Sequence, residues 1–244
     1  MTIEMRWSRL ALLLVVGWPW RALAYRPFDQ TDADVAEPEE VEVELGPIQF
    51  LHEPGHSELV PGFVLNVGVA DRLEAVLDGQ AGIGLGSVPA NERRWAFEPA
   101  LLLKAVLREG ALQDKLGPSI ALEAGILLPS VPAFTGTGAS LALIASQRWS
   151  AALMHVNVMA ERSRDGAFDL LAGTIVEGPM TWIVRPVVEA WIARAEHGIT
   201  SSLLGGAIWR VRTGLSLDGA VRVASMPERL AFEVRLGLTW AVSR

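Results

Sequence analysis

From Val41 to Ser243 the chain alternates apolar and polar residues with a period of two, in runs separated by turn-forming residues. Successive side chains of a strand point to opposite faces, so this period predicts strands with one apolar face and one small or polar face. Twelve runs can be drawn: 41–50, 62–70, 72–85, 95–108, 118–128, 138–148, 151–162, 167–177, 181–194, 200–212, 214–224 and 231–243. The last is the most regular. Phe232, Val234, Leu236, Leu238, Trp240 and Val242 share one face; Glu233, Arg235, Gly237, Thr239 and Ala241 share the other. Most runs reach the ~9–11 residues that a tilted strand needs to cross a bilayer. The expectation is an all-β fold, an antiparallel up-and-down transmembrane β-barrel of about 12 strands over residues 41–244.

Alternation alone also fits a soluble barrel turned inside out, so the connections carry weight. Short turns fall at Ala70-Asp71-Arg72, Arg148-Trp149-Ser150, Glu177-Gly178-Pro179 and Arg212-Thr213-Gly214. Longer polar loops are expected between them, at 52–62, 87–94, 129–137, 163–166, 195–199 and 225–230. Short periplasmic turns and long external loops are the membrane-barrel arrangement, and an even strand count leaves both ends in the periplasm. Segment 109–117 is the exception, long where a short turn is expected. Pro99 and Pro186 lie inside runs and are expected at bulges or strand ends, because proline cannot donate to the ladder. Trp95, Trp149, Trp182 and Trp191 lie near run ends, where aromatic girdles form.

The chain start agrees with a membrane address. Arg6 and Arg9 precede an apolar stretch at 10–16, and Ala22-Leu23-Ala24 supplies a small-x-small site. Residues 1–24 therefore read as a cleaved signal peptide, too short in its apolar core to span a bilayer. Residues 25–40 are acidic, contain proline and lack periodicity, as expected of a mobile arm or a plug in the lumen.

The formal net charge is −7, which argues against a nucleic-acid footprint. Cysteine is absent, so disulfides, thiol nucleophiles and thiolate metal ligands are excluded. No cofactor is expected.

Assigning faces gathers the charged residues inside. A charge on the lipid face near the midplane costs ~2–4 kcal/mol, so charges are expected in the lumen. The first five runs contribute Glu42, Glu44, Glu74, Asp78, Glu98 and Glu123 against Arg72, Lys104 and Arg108. The last four contribute Arg185, Arg210, Arg212, Arg222 and Arg235 against Glu189, Asp218 and Glu233. Closing the barrel would set Glu233 and Arg235 beside Glu42 and Glu44 at the seam. The two walls would give a transverse field favouring dipolar or zwitterionic solutes; alternatively, the charges pair and fill a narrow barrel.

Several segments carry a resemblance. Glu40-Val41-Glu42-Val43-Glu44-Leu45-Gly46 and Ala70-Asp71-Arg72-Leu73-Glu74-Ala75-Val76 resemble the opening of outer-membrane transporter-like barrels described as meta-pathway of phenol degradation proteins. Leu103-Lys104-Ala105-Val106-Leu107, Ala124-Gly125-Ile126-Leu127-Leu128-Pro129, Gly206-Ala207-Ile208-Trp209-Arg210-Val211, Leu217-Asp218-Gly219-Ala220-Val221-Arg222 and the final 235–242 run continue it. The resemblance implies a Gram-negative outer-membrane barrel passing small solutes, aromatic ones among them.

Other motifs carry less. His52-Glu53-Pro54-Gly55-His56 has the letters of a zinc-protease helix, but Pro54 and Gly55 oppose a helix there. Gly82-Ile83-Gly84-Leu85-Gly86 lacks the following helix that a phosphate site requires. His155 with Asn157, and His197 near Ser201 and Ser202, form no recognisable hydrolase motif. The expected function is passive passage of small, aromatic or dipolar solutes, without enzymatic activity. A closed structural or adhesion barrel is the alternative, and a lipolytic barrel the third reading. Expected partners are outer-membrane lipids, solutes, and the barrel-assembly machinery through the C-terminal strand; nucleic acid is not expected.

Overall fold

A computed structural model describes residues 26–86, 94–132, 135–195, 198–227 and 229–243. The 1–24 segment and His197 lie outside the described residues. The strands are β1 (Glu40–Glu53), β2 (His56–Leu59), β3 (Gly62–Ala70), β4 (Leu73–Leu85), β5 (Trp95–Arg108), β6 (Ser119–Leu127) and β7 (Gly138–Arg148). They continue as β8 (Leu153–Arg162), β9 (Phe168–Glu177), β10 (Val184–Ala195), β11 (Gly198–Arg212), β12 (Leu215–Met226) and β13 (Arg229–Ser243). All pair antiparallel, from β4 onward each with its next neighbour in the chain, while β2 and β3 each pair with β1 and β4; β13 pairs back onto β1 to close the cylinder.

Thirteen strands make twelve staves, because β2 and β3 are two halves of one. β3 lies between the first half of β1 and β4, with Glu44 opposite Val64 and Asp78 opposite Val64 on the other side. β2 fills the same gap higher up, with Leu51 opposite Glu58 and Gly84 opposite Glu58. The break falls at Val60-Pro61, where proline cannot supply a ladder N–H. The expected polar loop at 52–62 is thus a hairpin. Pro54-Gly55 turns it, with Gly55 at a φ of 82° that favours glycine. His52 and His56 sit on its two arms instead of one helical face, and His52 Nδ1 meets Ser57 Oγ at 2.9 Å.

Two further loops are shorter than the sequence suggests. β10 ends at Ala195 and β11 starts at Gly198; β12 ends at Met226 and β13 starts at Arg229. The strands at this end continue past the length a bilayer requires. Pro99 and Pro186 are tolerated for one shared reason. Each carbonyl accepts an N–H from just beyond a neighbour's end, Leu128 N→Pro99 O at 3.0 Å and Gly178 N→Pro186 O at 2.9 Å. The missing proline N–H points to that same side, where the neighbour's ladder has stopped. Neither proline marks a register shift; those fall between Leu45 and Ile48, Gly68 and Ala70, Val106 and Arg108, and Arg210 and Arg212.

The face assignment is visible in exposure. Leu101, Leu103, Leu143, Val158, Leu203, Val221, Phe232, Val234 and Leu236 point outward and are exposed, whereas Lys104, His155, Glu189, Glu233 and Arg235 point inward and are buried. Apolar outside and charged inside is the membrane polarity; a water-soluble barrel would reverse it. A cation at Leu143, midway along β7, is therefore expected to destabilise folding into lipid by about 2–4 kcal/mol. Leu143→Arg should lower the folded, fast-migrating gel fraction after refolding into vesicles.

Trp95, Trp149 and Trp182 lie at strand ends and, with Trp209 and Trp240, are exposed. Trp191 does not join them. It shares inward parity with Arg185 and Glu189, and its indole faces the lumen. Segment 109–117, the long exception among the turns, carries a 3₁₀ turn at Ala111–Gln113 that tucks under the barrel. Leu112 N is held by Ser119 Oγ at 3.0 Å, and Gly110 N by Gln113 Oε1 at 3.0 Å. Leu112 packs in an apolar cluster with Ala33, Ala121, Ala142, Ile144 and Leu153 inside the barrel.

Candidate functional site

The lumen is occupied by the chain's own N-terminal arm. Twelve strands spaced ~4.8 Å and tilted ~40° close into a backbone cylinder roughly 24 Å across. Inward side chains reduce this to a bore of about 12 Å, little more than the ~10 Å that one packed polypeptide layer occupies. Residues 26–39 take that space.

Wall side chains hold the arm by its backbone. Glu44 Oε2 accepts Arg26 N–H at 3.2 Å, and Glu189 Oε1 accepts the N–H groups of Asp29 (3.1 Å) and Gln30 (3.0 Å). Asn157 Nδ2 donates to Thr31 O at 2.8 Å, Ser146 Oγ accepts Ala33 N–H at 2.9 Å, and Glu74 Oε2 accepts Ala36 N–H at 2.6 Å. Apart from one bridge between Pro38 and Gly68, the described arm joins no strand ladder. Glycines make room for it: a Cβ on Gly46 or Gly237 would collide with the Arg26 guanidinium, and one on Gly173 with Gln30.

Charges meet locally. Lys104 is buried between Glu74 and Glu123, its direct partners on β4 and β6, and its Nζ lies 3.7 Å from Glu74 and 3.8 Å from Asp32 of the arm. On the far wall Arg222 pairs with Glu233 opposite it, and Arg235 Nε bonds Glu233 Oε1 at 2.8 Å. Both arginines also pair with Asp29 of the arm. Burial alone would raise the Asp29 carboxyl, but Arg235 and Arg222 outweigh it and hold the group below the usual range.

Between the walls runs a buried hydrogen-bonded chain. Ser146 Oγ meets His155 Nδ1 at 2.7 Å, His155 Nε2 meets Glu177 Oε1 at 3.2 Å, and Arg185 approaches Glu177 Oε2 at 3.2 Å. The residue types are those of a hydrolase triad. Here, however, the serine is buried and its oxygen holds Ala33 N–H. Its chemistry in this arrangement is to anchor the arm.

Burial and the charge of Asp32 push the Asp34 carboxyl from 3.8 up to about 7. A free arm would carry Asp34 near the ordinary value. The docked state then binds more protons between those two values, so docking weakens as pH rises from about 4 to about 7 and levels off above that. Asp29 acts in the opposite sense, its contribution being lost as pH falls below the ordinary carboxylate range. Proteolysis of the arm is expected to quicken as pH rises from about 5 to about 7, by at most about tenfold per unit, and to level off above 7. Asp34→Asn should flatten that dependence.

The seventeen charged residues read as lumen-lining take different places. Glu42, Glu44, Glu74, Lys104, Arg185, Glu189, Asp218, Glu233 and Arg235 are buried inside, and Asp78, Glu123 and Arg222 half-buried there. Glu98 is half-buried and pairs with Arg164 at 3.3 Å. Arg72, Arg108, Arg210 and Arg212 are exposed at the turn end: Arg72 pairs with Glu109, Arg108 Nη2 bonds Leu116 O, and Arg210 reaches Met180 O. There Arg72, Arg210 and Arg212 flank a vestibule of about 1490 Å³ below the arm. The seam closes as expected but in another register. The shift between Leu45 and Ile48 sets Arg235 opposite Gln49 and Glu233 opposite Leu51, while Glu44 faces Thr239. Asn66, at 3.0 Å, and Arg26 N–H serve Glu44 instead.

Sequence reasoning missed Asp29, Trp191 and the Ser146–His155–Glu177 chain. Inward parity was the available signal for Trp191 and for the chain members, while Asp29 lies in a segment without periodicity.

Closed, antiparallel and twelve-staved, the molecule belongs by architecture with β-barrels of the outer-membrane type. Among solved structures it is similar to the COG4313 outer membrane channel from Pseudomonas putida F1, with TM-score 0.59 and 11% identity, covering 88% of this chain and 100% of that one. It is also similar to the KdgM porin in complex with disordered oligogalacturonate, with TM-score 0.54 and 7% identity, covering 82% and 98%. At these identities the likeness is one of fold. No protein-family model matches the chain, and no curated protein does.

Proposed function

We propose that the protein is a bacterial outer-membrane channel for passive passage of small polar or dipolar solutes, closed in the described state by its own N-terminal arm. The observation that carries this reading is the way the lumen is filled. The bore is blocked by a segment held by wall side chains and joined to strands by a single bridge, so it can leave while the closed twelve-stave ladder stays intact. A purely structural barrel has no need of a removable filling. Acidic and basic side chains paired side by side along the lumen support selection of solutes carrying both signs. The apolar outer face supports a bilayer location, with residues 1–24 acting as a cleaved leader and β13 as the strand read by the assembly machinery. The similar fold of two outer-membrane channels agrees. Aromatic solutes, implied by the sequence resemblance, would find Trp191 in the lumen.

Fractionation and flux test the reading. The protein is expected in the outer membrane, migrating faster on gels before heating than after. Liposomes carrying an arm-deleted form should release small zwitterions faster than uncharged solutes of equal size. A soluble periplasmic product would refute the location, and tight liposomes would refute the channel.

A further inference from the structure

In the lumen the arm presents the Asp29 carboxylate three residues after Arg26, and the wall around that carboxylate is organised as a recognition site. Asp29 Oδ2 accepts the Trp191 indole N–H at 2.8 Å, and its two oxygens are shared by Arg222 and Arg235. Arg235 is buried and also donates to Pro27 O at 2.7 Å; the Arg222 guanidinium lies 6.0 Å from the Trp191 ring. Both guanidiniums share Glu233, and Glu189 and Asp218 act on Arg235 from further off, so without Asp29 the two arginines lose the carboxylate that bridges them. Glu189, fully buried, forms a second seat by accepting the backbone N–H of Asp29 through both oxygens at 3.1 Å, and that of Gln30 at 3.0 Å. In Asp29 the nitrogen that meets Glu189 is three bonds from the carboxyl carbon that meets the arginines. The two seats are thus spaced for that relation.

Resting on the reading of the arm as a removable occupant, we propose that Arg222, Arg235, Trp191 and Glu189 form a solute-binding site for which residues 29 and 30 are a tethered stand-in. The ligand class is a small molecule with a carboxylate and a hydrogen-bond donor three bonds from the carboxyl carbon. Aspartyl and β-amino acids carry that donor as N–H, and hexuronic acids carry it as a ring hydroxyl. An acid of this kind replaces the Asp29 carboxylate at the arginines and the Asp29 N–H at Glu189, while Trp191 offers both an N–H and a flat apolar face. The arm and the solute then compete for one place, and solute favours the open lumen by mass action.

The test uses the full-length protein with Asp29→Ala and Gln30→Pro, which remove the tethered carboxylate and one of the two N–H groups on Glu189. Calorimetric titration with N-acetylaspartate and with glucuronate is expected to show at least one acid binding tenfold or more tighter than to the wild-type protein. Adding Arg222→Gln should weaken that binding tenfold or more. Arg222 is the less buried of the two arginines, so its replacement leaves the fold readable by gel migration. The acid that binds tells whether the natural donor is N–H or hydroxyl. Absence of binding by both acids, equal binding of the neutral N-acetylalanine amide, or binding indifferent to Arg222→Gln would overturn the site. Conductance of the protein lacking residues 26–39 separates the two claims. Binding without current leaves the site standing and removes the channel; current without binding does the reverse.

Discussion

Replacing Lys104 with methionine is expected to destabilise the barrel by about 3 kcal/mol, because it leaves buried carboxylates without their cation. Glu74 on β4, Lys104 on β5 and Glu123 on β6 stand directly opposite one another across two ladders, so the ammonium is the middle member of a row of alternating sign. Opposed charges across a ladder contribute roughly 0.2–1 kcal/mol per pair, and like charges repel by similar amounts. Burial enlarges both effects, because little water remains to screen the two glutamates once the ammonium is gone. Asp32 of the arm lies 3.8 Å from the same Nζ, and Thr31 Oγ1 lies 3.4 Å away. Losing Lys104 should therefore loosen the arm as well as the wall. The heating temperature at which the compact gel form converts to the extended one should fall, and adding Glu74→Gln should restore part of the loss. An unchanged conversion temperature would show that water in the lumen screens this row completely.

What the sequence made legible depended on whether a single strand or a pairing was being read. Parity is a property of one strand, and it placed Arg235, Glu233, Lys104 and Asp218 inside without knowledge of any partner. Trp191 obeys the same rule with Arg185 and Glu189; its position near the end of a run suggested a girdle, and the parity was the better signal. Register is a property of two strands. The pairing of β1 with β13, including its one-residue shift between Leu45 and Ile48, cannot be counted from one strand's pattern, and it sets Arg235 opposite Gln49 and Glu233 opposite Leu51 instead of beside Glu42 and Glu44. His155 and Ser146 meet because residues 149–152 turn β7 into β8 with those two opposite. Pro54-Gly55 is ordinary loop chemistry until β1 and β4 are seen on either side of β2. The arm was harder still. Its contacts reach residues more than a hundred positions away, such as Asp29 N to Glu189 and Ala33 N to Ser146, and its own sequence has no period.

Removing residues 26–39 is expected to turn a silent protein into a conducting one, the largest functional effect the structure implies. The bore estimated from twelve staves is about 12 Å, and the arm fills it nearly completely. Only the bridge from Pro38 to Gly68 joins the described arm to the ladder, so the closed twelve-stave cylinder should persist without it. The groups uncovered would be polar: Glu44, Glu74, Glu189, Asn157 and Ser146 each lose an arm partner and gain water. Lumen acids and bases that the arm separates would face each other across solvent, favouring ions and dipoles over apolar solutes. The apolar cluster around Ile144 and Leu153 would lose Ala33 but keep Leu112 from the turn at Ala111–Gln113, leaving a partial constriction at the turn end. The direct measurement is planar-bilayer recording of the wild-type and arm-deleted proteins under the same voltage and salt. The account predicts rare or no unitary steps for the wild type and frequent, uniform steps for the deletion. Equal silence from a deletion that still shows heat-modifiable migration would contradict it.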